Sequence, residues 1–594
     1  GSLRANGTIS RDAPQRVSAM IAFSAMGASH DDAAIAKALG TALRGQLQAD
    51  WASGSPLSIS ALDVASGDLR VTGAGTLGAL DAGFPASGEI TLRMGDLSRF
   101  AALAKRDLGG AATAELSGTG AFLGGAFDLD LTAQTQDLRT DVARLDALLT
   151  GASDLAATLR RDTDGTVLEQ LEITNAALSL NAEGRSDEMG GALSLSAKMP
   201  DVARAEPRLT GPAEARTALN WEFGGAVNVE SLTLEVAESR ITASGTLLPD
   251  APGLPAEGQL SAQIADLSRF AALAGQRLAG TLDADLSGRA ALNAGTFDLQ
   301  TALRGSGLRT GIAELDKLLT GDVTISANGG RTEDAINIRE ISVQTGQLSL
   351  DADAISNTPG APLDLSFRLA DLGLFAPDFS GPVSATGQTQ LKGPDGREIT
   401  LDLNANGPGG TTAALRGAIF GFGARMALDL QGAAPLGLAN AFITPQSIEG
   451  TARYDLRIDG PPALASLSGA LSMQDARVAL PRVGISIEGL TGEINLTGGR
   501  AQTQLAGRLQ EGGTFNVTGP IALTAPFNAD LSAQLTSVRI TDNLIYTSLL
   551  GGFASITGPL AGGAVIGGNI TLDETEIRIP SSTAASSVIF EDMT

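Results

Sequence analysis

The sequence predicts a mainly β protein: a long, curled and repetitive β-sheet, open and solenoid-like, with an aliphatic groove and a few short helices. Three observations lead to that expectation. The chain repeats itself at a spacing of 170 residues, since Asp96 to Ala104 and Asp266 to Ala274 both read DLSRFAALA. The register then holds through Leu116-Ser117-Gly118 and Leu286-Ser287-Gly288, and the only two tryptophans, Trp51 and Trp221, stand one period apart. Short runs alternate apolar and polar residues with a period of two, as in Ile399-Thr-Leu401-Asp-Leu403-Asn-Ala405, which puts all apolar side chains on one face of a strand. Clusters of Gly, Asn, Asp and Pro separate these runs, so most of the 74 glycines are read as turn and bulge residues. Copies of a long unit stabilise one another by stacking, which points to an extended scaffold or conduit more than to one catalytic pocket.

Taken in order, residues 1–50 lead into the first repeat, residues 51–220 form one β unit, and residues 221–390 form the second. A degenerate third echo starts at about residue 371, where the signature has become DLGLFA (Asp371 to Ala376). Residues 391–445 are connecting strands, and from 446 to 594 the pattern changes to short Gly-headed strands. Alternation predicts strands at Phe127–Leu131, Leu193–Leu195, Leu232–Val236, Ile399–Asn406, Tyr454–Ile458 and Glu576–Ile579, and a pair of strands at Ile485–Ile487 and Glu493–Leu496. Helical spacing occurs at Leu97–Ala104 and again at Leu267–Leu273, with Ser98 and Ser268 as candidate caps, and at Val142–Leu149 and Ile312–Leu319. Helices of two or three turns are expected to plug or edge a sheet. Asn543 to Leu572 carries no charge, but seven glycines and Pro559 interrupt it, so it reads as strands rather than a membrane span.

Strands of ordinary length would number on the order of 35 to 45 and, at ~4.8 Å each, give an object on the order of 150 to 200 Å long. So wide a sheet must curl. Its apolar face would be too large a patch to leave in water, so the sheet's own folding, a partner or a long apolar ligand must cover it. Alternation alone leaves two arrangements open, a closed solenoid or sandwich with a dry core and an open groove. Two details favour the groove: aromatics are only 4%, too few to fill a wide lumen, and the polar positions hold a mixed Thr, Ser, Asn, Asp and Arg surface. The groove-lining candidates are Leu129, Leu131, Leu232, Leu234, Val236, Leu299, Ile399, Leu401, Leu403, Leu456, Ile458, Ile485, Ile487, Ile494, Leu496, Ile570, Leu572, Ile577 and Ile579. Such a smooth aliphatic lining suits alkyl chains, the acyl chains of lipids among them, as well as it suits self-packing.

Chemistry that would indicate an enzyme is missing. The one histidine, His30, sits in a polar Ser-His-Asp-Asp stretch with no nucleophile beside it, and one His with no Cys cannot build the usual zinc site. Asp128/Asp130 and Asp351/Asp353 have the spacing of solvent-facing strand positions without a calcium loop. Gly118-Thr-Gly120 and Gly421-Phe-Gly423 complete no phosphate-binding fingerprint. No catalytic residue, cofactor or metal is expected. The net charge of −25, spread over the whole length, repels phosphate polymers, which makes nucleic acid a poor partner.

The region 446–580 resembles the TamB family of translocation and assembly module proteins, within the wider AsmA-like and bridge-like lipid transfer group. The resemblance lies in Ile448-Glu-Gly450 through Ile458-Asp-Gly460, Leu467-Ser-Gly469-Ala-Leu471, the Pro481 to Leu496 strands, Gly519-Pro-Ile-Ala-Leu523, and Gly567-Gly-Asn-Ile570-Thr-Leu572 ending in Ile577-Arg-Ile579-Pro580. It implies a long β-taco in the Gram-negative periplasm that carries phospholipid between inner and outer membranes and supports outer-membrane biogenesis. A TamA-like barrel of the BamA superfamily is the implied partner. It also implies an inner-membrane anchor and a terminal segment, neither of which these 594 residues contain, and the Gly1-Ser2-Leu3 start reads as a protease scar. Two alternatives stay open: a chaperone-like scaffold offering strand edges to outer-membrane barrels or autotransporters, and a closed β-solenoid adhesin.

Overall fold

The computed structural model describes residues 2–577 apart from 14, 28–29, 80–82, 122, 124, 394, 482–483, 543–545 and 561. Strands dominate it, thirty-four among the described residues. That is slightly fewer than strand count by ordinary length predicts, because the strands run from 7 to 15 residues. They belong to two compact units, residues 1–316 with 321–323, and residues 317–320 with 324–594.

In the first unit eighteen strands, from Ser2–Ala13 to Thr296–Arg309, follow one another as an antiparallel meander in which each pairs with its sequence neighbours. The second unit does the same with sixteen strands, from Asp322–Arg331 to Val565–Ile577. Within each unit the first and last strands are not paired with each other among the described residues, so neither meander closes into a barrel. This differs from a closed solenoid, whose coils stack in parallel.

In a meander every second connection lies at the same end of the strands, and this places the helices. In the first unit they follow the second, sixth, eighth, twelfth, sixteenth and eighteenth strands; in the second unit they follow its fourth, sixth and eighth. All of these are even positions. Except for two three-residue 3-10 turns, Gly421–Gly423 and Leu464–Ser466, each unit therefore carries its short helices along one rim and tight turns along the other. The expectation that the helices edge the sheet is met.

The repeated signature is what fastens that rim. Asp96 accepts from the backbone N–H of Ser98 at 2.8 Å and from its hydroxyl at 2.8 Å, starting the 3-10 turn Leu97–Phe100 that runs into the helix Ala101–Ala104. Asp266 caps the second copy in the same way. The caps are thus the aspartates, not Ser98 and Ser268; a two-residue reach to the backbone N–H suits a carboxylate at the position before the turn. Arg99 then donates to the Ser66 carbonyl (2.8 Å) and Asp68 Oδ1 (2.6 Å) at the turn two strands earlier, and to the Ala38 carbonyl (3.0 Å) of the helix Ala33–Leu39. One period on, Arg269 reaches Glu238, the residue equivalent to Asp68, at 2.7 Å. In the third echo Asp371 accepts from the Gly373 and Gly381 N–H groups at 2.8 and 2.7 Å.

These bonds favour the ionised carboxylates. The Ser98 N–H and hydroxyl hold Asp96 below the ordinary aspartate range, the Ser268 hydroxyl and N–H do so for Asp266, and the Gly381 and Gly373 N–H groups for Asp371. A carboxyl whose folded pKa is depressed contributes stability above its unfolded value of about 3.9, and that contribution is lost as pH falls through the folded value. Thermal unfolding should therefore be insensitive to these groups from pH 7 to 5 and weaken below about pH 4. Paired Asp96→Asn and Asp266→Asn substitutions should make the acid limb shallower; an unchanged limb would show that the caps contribute nothing.

One strand prediction is corrected. Ile485 to Thr497 is a single strand, not a pair. Gly489 does adopt φ +58°, but it sits in a register shift between Glu488 and Thr491, where an irregularity of the ladder takes up the left-handed residue without reversing the chain.

Candidate functional site

Pairing partners across antiparallel strands share a face, so the register shows which side chains meet. In the first unit one row crosses all eighteen strands from Ile9 to Leu299 through Ile59, Leu129, Leu159, Leu168, Leu193, Leu219 and Val229, and every residue in it is Ile, Leu, Val, Ala or Gly. In the second unit a row of the same residue types crosses fifteen of the sixteen strands from Ala327 to Gly558, through Leu365, Leu403, Leu415, Leu430, Leu456, Leu496 and Ile521. The alternation seen strand by strand is thus phased into a continuous aliphatic stripe within each unit. No single strand could reveal this.

Many of these side chains are only half-buried. Along Phe127–Arg139 the apolar positions are intermediate and the aspartates between them exposed, a pattern that a dry core would have deepened to full burial. The first stripe is therefore a wall with one side open to solvent, whereas the second has Ala352, Leu403, Leu496, Ala501 and Ala529 buried among half-buried neighbours.

Most of the sequence-derived lining residues fall on these walls. Leu129 and Leu299 lie on the first stripe, and Leu131 and Leu232 share the next row on the same face. Leu403, Leu456 and Leu496 lie on the second stripe, with Leu401 and Ile458 sharing the adjoining row. Ile399, Ile485, Ile487 and Ile494 are half-buried too. Leu403 and Leu496 are almost fully covered, at 8% and 6% exposed.

Leu234 and Val236 are covered by the protein itself. The loop 200–212, with its 3-10 turn Val202–Arg204, packs Val202 and Leu209 onto Ala213, Val236 and Ala237, with Met199, Leu234 and Phe270 around them. Glu206 holds this strap through Arg208 (Nε at 2.8 Å, Nη2 at 3.0 Å), and the guanidinium lowers its carboxyl to about 2. Ile570, Leu572 and Ile577 are exposed on the strand Val565–Ile577, and Ile579 lies outside the described residues.

The feature sequence reading missed is where the stripe loses its side chains. Gly75, Gly88 and Gly118 are successive partners on three adjacent strands, between Ile59 and Leu129. The rows two residues to either side carry Leu62, Ile90, Leu116 and Leu131 on one flank and Leu57, Leu77, Ala86 and Phe127 on the other. A cavity of about 640 Å³ lies there, lined mainly by apolar atoms, Ile59, Leu77, Ile90, Leu116, Phe127 and Leu129 among them. Each glycine is required by close approach: a Cβ at Gly75 or Gly88 would collide with a carbonyl oxygen of the neighbouring strand, and Gly118 also takes φ +151°. The 170-residue register was the available signal, since Gly245, Gly258 and Gly288 repeat all three.

A larger cavity of about 930 Å³ lies around Lys198, Glu214, Glu235, Arg240 and Asp283. Lys198 pairs with Glu214 (3.4 Å) and Arg240 with Glu235 (3.7 Å), so ion pairs interrupt a lining that also holds Leu178, Met199, Val236 and Ile264, unlike the lining over the glycine floor. Volume alone does not pick the site; lining chemistry does.

Among the described residues no helix is long and apolar enough to cross a membrane. No protein-family model matches the chain, and no curated protein is significantly similar to it.

Proposed function

We propose that this protein is a non-enzymatic carrier of lipids, in which acyl chains lie on the half-exposed aliphatic stripes while polar head groups stay at the open side. The observation behind this reading is the apolar row in each unit, half-exposed along the whole of the first and part of the second, with no convergent polar chemistry on it among the described residues. Each methylene removed from water contributes about 0.8 kcal/mol. Because neighbouring positions along a stripe are alike, a chain that slides from one strand to the next exchanges equivalent contacts, and each step costs little. The TamB-like resemblance fits this reading and extends it to phospholipid movement between the inner and outer membranes through the periplasm, with a BamA-superfamily barrel as partner.

Native mass spectrometry after gentle purification tests the reading. Adducts with the masses of phospholipids or fatty acids are expected. Bound polypeptide would favour a strand-offering scaffold, and protein stripped of any adduct, with no uptake of added palmitate, would rule the carrier out.

A further inference from the structure

We propose that the two glycine rows, Gly75–Gly88–Gly118 and Gly245–Gly258–Gly288, are two equivalent seats, each holding one linear acyl chain laid across the strands. The proposal rests on the carrier reading and refines it, from a uniform stripe to a stripe with two discrete binding positions one repeat apart.

The second row copies the first in its glycines and their pairing. Gly245, Gly258 and Gly288 are successive partners between Val229 and Leu299, as Gly75, Gly88 and Gly118 are between Ile59 and Leu129. Leu260 and Leu286 flank it on one side, where Thr301 stands in place of Leu131, and Leu247, Ala256 and Phe297 on the other, where Ala290 stands in place of Gly120. Backbone conformation is copied as well: Gly288 has φ +144°, and a Cβ at any of the three would strike a carbonyl oxygen of the adjacent strand, as in the first row. Ile90 and its equivalent Leu260 are both exposed to nearly the same extent, 39% and 38%, which is unusual for large aliphatic side chains facing an inner surface.

The form of the trough selects its occupant. The flanking rows are four residues apart along the strands, ~13 Å, and their side chains lean over a floor that has none, which leaves a slot one alkyl chain wide. From Ile59 to Leu129 the slot crosses four strand spacings, ~19 Å, a length suited to a long acyl chain and not to a compact ring system. The first seat also ends at a charge. Arg161 is the partner of Phe127 on the next strand, so it shares the seat's face, and it forms no ion pair among the described residues. A carboxylate or phosphate at the end of the chain would meet it.

The test uses the full chain with Trp51→Phe and Trp221→Phe, so that a single new tryptophan reports on one place. Phe127→Trp reports on the first seat, Phe297→Trp on the second, and Leu159→Trp on the same stripe between them. Dibromostearate is the quenching probe and palmitate the competitor. Quenching several-fold stronger at positions 127 and 297 than at 159 is expected. Ala86→Phe, which fills the first slot from its flank, should abolish quenching at 127 and leave 297 unchanged, and Ala256→Phe should do the reverse. Ala86→Met and Ala256→Met serve if the larger ring prevents folding, as judged by circular dichroism. Equal quenching at all three positions, or loss at both seats from one filling substitution, would overturn the seats while leaving the carrier intact. Absence of quenching everywhere would overturn both.

Discussion

Gly118→Ala is expected to destabilise the first unit by about 3 kcal/mol, through backbone strain together with a steric clash that must be relieved by moving a strand. Gly118 has φ +151°, a region that residues with a Cβ rarely adopt, and the added methyl would run into the carbonyl oxygen of Asp128 on the paired strand. Neither strand can shift alone, because Gly118 is bonded on one side to the strand of Gly88 and on the other to that of Leu129. Gly120→Ala supplies the control. A Cβ there finds its nearest atom at 3.5 Å, and one period later the equivalent residue is Ala290, so the protein already tolerates the change in its second copy. Thermal melts and amide hydrogen exchange over the strands Pro85–Met94, Gly109–Ala121 and Phe127–Arg139 would show the difference. If Gly118→Ala melted like Gly120→Ala, the close approach described for the glycine row would be wrong.

Leu401→Arg is expected to block lipid movement on the second unit without unfolding it. Leu401 is half-buried and partners Thr389 and Gly417, so a long side chain at this position has room to lift its guanidinium toward water while its stem covers the stripe. Fold stability should change little. A hydrocarbon tail passing that point must instead contact a charge or displace its hydration. By analogy with a charge placed at the centre of a membrane helix, this costs about 3 kcal/mol, or on the order of a hundredfold in rate. Asn404→Arg, on the exposed face of the same strand, should leave transfer unchanged. Transfer of fluorescent phospholipid between vesicles measures both, and equal rates for the two variants would mean that tails do not travel on this face.

Both expectations depend on how strands are phased against one another, and that marks the limit of what was legible from residues alone. Alternation such as Ile399-Thr-Leu401-Asp-Leu403 declares a strand and its two faces, because the side-chain period of a strand is two whatever its neighbours do. The short helices at Ala143–Leu148 and Ala313–Leu318 were legible for the analogous reason of helical spacing. Turns were less certain. Ile485–Ile487 and Glu493–Leu496 read as two strands and proved to be one, because the left-handed Gly489 between them sits in an irregularity of the ladder and only the pairing of the following residues tells that from a turn. Leu234 and Val236 read as lining and turned out to lie under the 200–212 strap, whose grip depends on Val202 and Leu209 reaching a strand more than twenty residues away.

By itself, then, the sequence determined that the chain is mainly β with a few short helices, which residues of an alternating run share a face, and the 170-residue repeat, all of which are local patterns or direct self-similarity. The tertiary structure decided that the strands form meanders, that their helices gather on one rim, and that glycines forty-three residues apart, Gly75 and Gly118, stand two strands from each other in one floor. Cross-strand register is the reason: it is fixed by bulges, turn lengths and packing summed over many strands, and a shift of one residue anywhere would turn the same side chains to the opposite face.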